Sequence, residues 1–192
     1  MFNNINSQLL LTIAALLSVS IPFGGANADS NTPEFSPYVN SSGQIFLPAD
    51  FRRQLVHLGS WFVPEGDAGG FHDVYADGNA VDVYRKTGKF PDGAAIVKEL
   101  RAATSGNYTT GKGVSYANST IKQWFVMIKD TKGRFPKNGS WGDGWGWALV
   151  KNDGTTINTS TDYKKDCTGC HTPVKDKDWI YIEGYPTLTT KK

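Results

Sequence analysis

The stretch GAAIVKELRAA, residues 93 to 103, is typical of a β-strand and is the clearest pointer to the fold. Its side chains alternate between two faces, one with Ile96, Lys98 and Leu100 and the other with Val97, Glu99 and Arg101. The first of these faces is apolar except for Lys98. Because a lysine that faces a core is unfavourable unless it is paired or neutral, Lys98 is either an ordinary lysine on a solvent-exposed face or a functional amine.

Further segments with strand-like composition follow one another along the chain. Turn sequences separate several of them, at Lys132-Gly133, Asn138-Gly139 and Asn152-Asp153-Gly154. Short connections favour antiparallel pairing, since a parallel crossover needs a dozen or more residues. The predicted strands are residues 60–63, 71–76, 93–103, 120–130, 144–151 and 178–186.

Two helices are predicted in the N-terminal half. LPADFRRQLVHLG, residues 47–59, has Pro48 near a helix start and Gly59 as a stop, with its apolar residues at helical spacing. GNAVDVYRKTG, residues 78–88, follows Asp77 as a helix cap and ends at Gly88. Together with the strands, these helices predict an α+β fold with a mostly antiparallel sheet.

The N-terminal 28 residues are typical of a signal peptide. An apolar stretch from Leu9 to Ile21 precedes Ala26-Asn27-Ala28, which fits an A-x-A cleavage site. No Lys or Arg precedes this stretch, and the alternative is an uncleaved anchor, but the stretch is too short to span a bilayer comfortably. We expect export to the periplasm, a flexible lead-in over residues 29–44, and one domain over residues 45–192.

Charge and hydropathy limit the partners of this domain. The formal net charge of +2 is too balanced to indicate nucleic-acid binding. No second apolar run is long enough to cross a membrane, so no membrane association is expected after cleavage.

The sequence DCTGCH, residues 166–171, holds the only two cysteines of the chain, with a histidine after the second. A disulfide across so short a loop would stabilise the fold weakly. A thioredoxin-like redox pair belongs at a helix start in a βαβ unit, and a zinc site would need ligands from a second cluster, which the chain lacks. Covalent attachment of a c-type haem requires Cys-x-x-Cys-His, and this is the favoured interpretation.

In that interpretation Cys167 and Cys170 form thioethers with the haem and His171 is the iron ligand. The other face of the iron has few candidate ligands, namely Met127, His72 and His57. His57 is expected to be solvated on the polar side of the first predicted helix, so His72 is the better histidine candidate. A methionine in the middle of a strand is more often a core residue, so an open or weakly held iron site that binds a small molecule is expected. A short helix is expected to carry the attachment motif near the C-terminus.

Residues 74–100, VYADGNAVDVYRKTGKFPDGAAIVKEL, the strand ending IKD and the C-terminal Cys-x-x-Cys-His with a later YP resemble the cytochrome P-460 family. The resemblance runs over roughly residues 45 to 187. It implies a periplasmic mono-haem c protein with a largely antiparallel sheet, often a homodimer. The family's enzymes oxidise hydroxylamine, and the related cytochrome c′-beta binds nitric oxide and other diatomic gases.

The resemblance also implies roles for individual residues. In the enzymes a lysine is covalently bonded to the haem rim, and the matching position is Lys98. A distal glutamate of the enzymes aligns with Phe125, which cannot accept a proton, and a distal arginine aligns with His72. Hydroxylamine oxidation would therefore need His72 as the base, whereas an apolar Phe125 above the iron resembles the gas-binding branch.

Three functions therefore remain open for this sequence, two from the resemblance and one from the possible sixth ligands of the iron. The first is hydroxylamine oxidation with electron transfer to a partner such as a soluble cytochrome, for which lysines near the haem motif could form a docking patch. The second is non-catalytic binding of nitric oxide. The third is simple electron transfer with a six-coordinate iron.

Overall fold

The protein is organised around one antiparallel β-sheet of six strands. A computed structural model describes residues 35–189 of the chain. In this range the strand order is β1-β2-β3-β4-β6-β5, and every neighbouring pair is antiparallel. The strands are β1 (Val56–Val63), β2 (Gly70–Ala76), β3 (Ala95–Tyr108), β4 (Gly111–Lys129), β5 (Trp141–Gly142) and β6 (Trp145–Lys151).

The helices are short and flank this sheet. They are α1 (Phe51–Gln54), α2 (Gly78–Thr87), α3 (Tyr163–Asp166) and α4 (Thr168–His171), followed by 3-10 helices at Thr172–Lys177, Ile182–Gly184 and Pro186–Leu188. The predicted α+β class with a mostly antiparallel sheet is confirmed. The expected short helix at the attachment motif is α4, and no helix among residues 35–189 is long and apolar enough to cross a membrane.

The second predicted helix is confirmed as α2. Gly88 ends it with φ of 72°, and its N–H donates to the carbonyl of Tyr84 at 2.7 Å, as expected for a glycine just after a helix. Asp77 stands at the cap position but does not cap with its side chain. Its Oδ2 instead accepts from the N–H of Ala95 at 2.7 Å, which ties the helix start to β3.

The first predicted helix, residues 47–59, is mostly wrong. Only Phe51–Gln54 is helical, and the chain enters β1 at Val56. Pairing with β2 outweighs the helical spacing of the apolar residues, because a strand at this position places Leu58 in the core. His57 consequently lies on an exposed strand and not on a helix.

The predicted strand at residues 178–186 is also wrong. Asp178 and Trp179 adopt φ values of 60° and 68°, which are incompatible with an extended chain. The segment folds into 3-10 turns and covers one face of the sheet, burying Ile180, Tyr185 and Leu188. Aromatic and β-branched composition therefore indicated burial here, but not strand pairing.

The two faces of the sheet carry separate hydrophobic cores. One core joins α2, Trp145 and Trp147 to the C-terminal segment. The other lies beneath the segment that precedes β1 and includes Val39 and Ile45, and here the indole of Trp141 occupies the space that a side chain at Gly146 would need.

The ordering of the N-terminal region corrects one expectation. Residues 29–44 were expected to be a flexible lead-in, yet Val39 is buried and forms a β-bridge with Ile45. The described part of the lead-in therefore packs as part of the domain. The predicted signal peptide, residues 1–28, lies outside the described residues.

Strands β3 and β4 extend beyond their neighbours. β2 pairs with β3 only as far as Arg101, and β6 pairs with β4 only from Gln123 onward. The remainder is a two-stranded ribbon, in which the exposed Tyr108 and Tyr116 pack edge to face, with ring centroids 6.1 Å apart.

Candidate haem site

A cavity of about 550 Å³ lies between the sheet and the C-terminal segment, within the size range of small-molecule and cofactor pockets. Strand alternation brings one set of side chains from β2, β3, β4 and β6 to its wall. The apolar members of this set include Val74, Ile96, Leu100, Met127 and Leu149. The C-terminal segment contributes Cys167, Cys170, His171, Ile180, Tyr181 and Tyr185.

The attachment motif is held by two consecutive short helices. The carboxylate of Asp162 caps α3, since its Oδ1 accepts from the N–H of Lys164 at 3.0 Å. The N–H groups of Cys170 and His171 then both donate to the carbonyl of Cys167. This tight turn brings both thiols and the imidazole to the same cavity.

The thiols are free and not bonded to each other. Burial raises the pKa of the Cys167 thiol to about 11, whereas a reactive thiol of a redox pair has a lowered pKa. Among residues 35–189, no group of three or more His, Cys, Asp or Glu side chains is arranged to hold a metal ion by itself.

His171 is oriented by a backbone hydrogen bond. Its Nδ1 lies 2.7 Å from the carbonyl oxygen of Trp179, and because a carbonyl only accepts, Nδ1 carries the proton. Burial lowers the pKa of His171 and keeps the ring neutral. The imidazole of His171 also packs edge to face on Trp147, with centroids 5.1 Å apart. Nε2 therefore keeps a free lone pair, as an iron ligand requires.

Lys98 lies in the cavity wall, on the face that strand alternation predicted. It pairs across the sheet with Phe125 of β4, and its Nζ lies 4.1 Å from the centroid of that ring. Burial lowers the pKa of Lys98 and favours the neutral amine. No acidic group in the described part of the chain forms an ion pair with it.

His72 reaches the same cavity from β2 and is only 9% exposed. Its Nε2 donates to the carbonyl of Ala68 at 2.7 Å, which leaves Nδ1 as the acceptor. Burial lowers the pKa of His72. Lys122 holds the same loop by donating to the carbonyl of Gly69 at 2.8 Å, so His72 is attached to a tethered loop at the cavity edge.

Sequence reasoning missed several lining residues. Gln123 precedes Phe125 by two positions on β4 and so lines the same wall; alternation along 120–130 could have found it. Tyr181 donates a hydrogen bond to the carbonyl of Cys170, and Tyr185 is a buried residue of the same lining. Both tyrosines lie in the segment for which a strand was wrongly predicted, so no correct sequence signal placed them here.

The residues present fit a c-type haem. Two unbonded thiols and an imidazole with a free Nε2 line one cavity, which is the donor set that thioether attachment and iron ligation need. The sheet side of this cavity is largely apolar, as expected around a porphyrin.

Comparison with known proteins agrees with this chemistry. No curated protein sequence is similar enough to the chain to count as a match. The family model described as Cytochrome P460 matches residues 48–182, which is most of the chain and includes the attachment motif. The chain belongs to the Cytochrome P460 family and is a c-type haem protein.

Proposed function

We propose that this protein oxidises hydroxylamine in the periplasm and passes the electrons to a soluble redox protein. One observation carries the proposal: the Lys98 amine lines the cavity of the attachment motif and has no ionic partner there. The resemblance to the hydroxylamine-oxidising enzymes implies a covalent bond between this lysine and the haem rim. A neutral amine within an apolar wall is suited to that bond, because its lone pair is available.

Formation of a bond between Lys98 and the haem would be a two-electron oxidation that needs an oxidant. If Lys98 bonds to the haem rim, Nζ would give up one hydrogen and a ring carbon another as the N–C bond forms, so two protons and two electrons would be released. A peroxide is the class of oxidant that would accept them, with water as the product. We infer that this step belongs to maturation and occurs once per molecule.

The residues of the cavity would then have different roles in the oxidation. When bound, the haem supplies an iron that takes electrons from the substrate. Hydroxylamine loses protons as it loses electrons, so a base must lie nearby. Nδ1 of His72 is the candidate acceptor, since Nε2–H is engaged by Ala68 and fixes the ring. The apolar side chains of β3 and β4 exclude water from the reacting centre.

The experiment is a tryptic digest of purified holoprotein, analysed by mass spectrometry, with a steady-state assay of acceptor reduction. We expect haem attached to both the DCTGCHTPVK peptide and the peptide containing Lys98. We also expect hydroxylamine-dependent reduction that falls about 100-fold or more in His72→Phe, as for loss of a general base. His57→Phe, on the exposed part of β1, is the matched control. Absence of hydroxylamine-dependent reduction in the wild type would refute the proposal.

A second candidate is non-catalytic binding of nitric oxide, and the position of Phe125 favours it. This ring lies in the cavity wall beside Lys98, at the position that the resemblance aligns with the distal glutamate of the enzymes, and a phenyl ring cannot accept a proton. If Phe125 covers the bound gas, Phe125→Ala changes its affinity and dissociation rate, and the Lys98 peptide is recovered without haem. A six-coordinate spectrum would instead support simple electron transfer with Met127 or His72 as the sixth ligand.

We also propose a homodimer that uses the ribbon of β3 and β4. An isolated two-stranded ribbon is marginally stable in water, and this one presents Tyr108 and Tyr116 to solvent. A second copy packed on these rings would stabilise it. Light scattering after gel filtration should give a dimer for the wild type and a monomer for Tyr108→Ser/Tyr116→Ser; a monomeric wild type would refute the proposal.

A further inference from the structure

The turn after the attachment motif is strained. Asp178 and Trp179 are consecutive residues with φ of 60° and 68°. Aspartate tolerates this left-handed region, but it is unusual for a bulky side chain such as an indole. Trp179 is also the residue whose carbonyl accepts the Nδ1–H bond of His171, at 2.7 Å. A strained backbone therefore supports the orienting contact of the iron ligand.

A buried ion pair fastens this turn to the sheet. Oδ1 of Asp178 lies 2.5 Å from Nζ of Lys129, and the two side chains are 6% and 9% exposed. Oδ2 of the same carboxylate accepts from the N–H of Phe90 at 2.9 Å. Lys129 is the last residue of β4, and its Nζ lies over the ring of Trp145, 4.6 Å from the centroid. Both carboxylate oxygens are thus bonded to parts of the fold far away in sequence.

We propose that Lys129 and Asp178 are positioning residues for the iron ligand. Their ion pair holds the left-handed turn, the turn holds the carbonyl of Trp179, and the carbonyl holds Nδ1–H of His171. A firm hydrogen bond at Nδ1 fixes the ring orientation and makes Nε2 a stronger donor, which favours ferric iron and lowers the reduction potential. The inference rests on His171 as iron ligand, as in the proposed function, but not on the choice of substrate.

The test compares holoproteins by resonance Raman spectroscopy and redox titration. The variant Lys129→Met/Asp178→Asn removes both charges together, so the net charge near the haem is unchanged. The introduced asparagine side chain keeps an acceptor for the N–H of Phe90 and tolerates the left-handed turn, while the anchor to β4 is lost. We expect a lower iron–histidine stretching frequency in the ferrous protein and a higher reduction potential. A purely electrostatic role of the two charges predicts no shift in either quantity.

Two control variants separate positioning from general loosening. Lys129→Arg keeps the ion pair and should keep both wild-type values. Asp130→Asn weakens a neighbouring part-buried pair, that of Asp130 with Arg134, which does not reach His171. It should lower stability without shifting the frequency or the potential.

Several results would overturn the positioning role of Lys129 and Asp178. Wild-type values in the double variant overturn the proposal, and so do equal shifts in Asp130→Asn. If the double variant fails to accumulate, Asp178→Asn alone must still lower the stretching frequency, and an unchanged frequency there also overturns it. A five-coordinate ferrous wild type without any iron–histidine band overturns the ligation by His171 itself, which distinguishes the two failures. If the ferrous protein is six-coordinate, the shift in reduction potential decides the test.

Discussion

Lys98 and Glu99 are neighbours on β3 and lie on opposite faces of the sheet, where their charged groups have very different partners. Glu99 is fully buried and accepts hydrogen bonds from Arg52 Nε at 3.0 Å and Trp124 Nε1 at 2.9 Å, with Arg101 3.5 Å away. Lys98 lies in the cavity wall with its Nζ over the ring of Phe125, and no ion pair among residues 35–189 includes it. One charge is satisfied by three partners, and the adjacent one is left without an ionic partner.

This difference distinguishes a buried charged group that stabilises the fold from a group in a cavity that is available for function. A buried carboxylate is tolerated when ion pairs and hydrogen bonds compensate for its lost hydration. An amine that lacks such compensation raises the free energy of the folded protein unless it loses its proton or reacts. Groups in a cavity whose pKa is perturbed are candidates for function. Burial lowers the pKa of Lys98, which lines the cavity, whereas Glu99 lies on the opposite face of the strand.

The largest predicted effect follows from replacing Lys98 by methionine. If Lys98 is bonded to the haem, it is cross-linked to Cys167, 69 positions along the chain. Losing a cross-link over a loop of about that length lowers the free energy of unfolding by about 4 kcal/mol, by analogy with a disulfide. Denaturant unfolding of the two holoproteins measures this, with the exposed Lys151→Met as control. Equal stabilities of Lys98→Met and wild type would show that the lysine is not bonded.

The next effect is expected from Glu99→Ala on the opposite face. The carboxylate of Glu99 is buried, whereas its partners Arg52 and Arg101 are partly exposed. Removing the carboxylate takes away the acceptor of their hydrogen bonds, and we expect a loss of about 2 kcal/mol in unfolding free energy. Urea unfolding of the holoprotein tests this against Glu65→Ala in an exposed loop. A loss no greater than that of the control would mean that the network around Glu99 does not stabilise the fold.

The smallest effect is expected from Asp92→Asn, where the charge is paired but exposed. The guanidinium of Arg134 lowers the pKa of Asp92 from 3.8 to about 2. A lowered pKa stabilises the folded state above the unfolded value and loses this stabilisation as the pH falls from 3.8 to about 2. Solvent screening limits the contribution to about 1 kcal/mol at most. Unfolding free energies measured across this pH range should fall less steeply in the variant, and identical slopes would contradict the prediction.

The extent to which the fold was predictable depends on how local each signal is. Strand alternation and the glycine after α2 act over a few residues, and both predictions are confirmed. The helix expected over 47–59 failed because pairing between β1 and β2 is not visible in one segment alone. The strand prediction over residues 178–186 is wrong because nothing in the sequence Asp178-Trp179 indicates two consecutive residues in the left-handed region.

For the residues of the site, too, predictability from the sequence depends on how local the signal is. Cys167, Cys170 and His171 lie within five residues, so a single motif identified them. The contact between Lys98 and Phe125 depends on the register of β3 with β4, and the place of Gln123 became clear only when that register was known. The link from Lys129 to Asp178 spans 49 positions, and only the folded chain brings the two together.

The register of β3 has a consequence for how this protein can change during evolution. The pairing of β3 with β4 is irregular between Leu100 and Ala103, beyond the residues that line the cavity. An inserted residue in the ribbon past this point alters only its length. A one-residue insertion just before Lys98 would reverse which side chains face each side of the strand. The acidic side chain that follows Lys98 would then face the cavity, and Lys98 itself would lie beside the arginines of the opposite face. Lineages descended from this sequence should therefore vary in length at the ribbon and stay constant between Ala95 and Leu100.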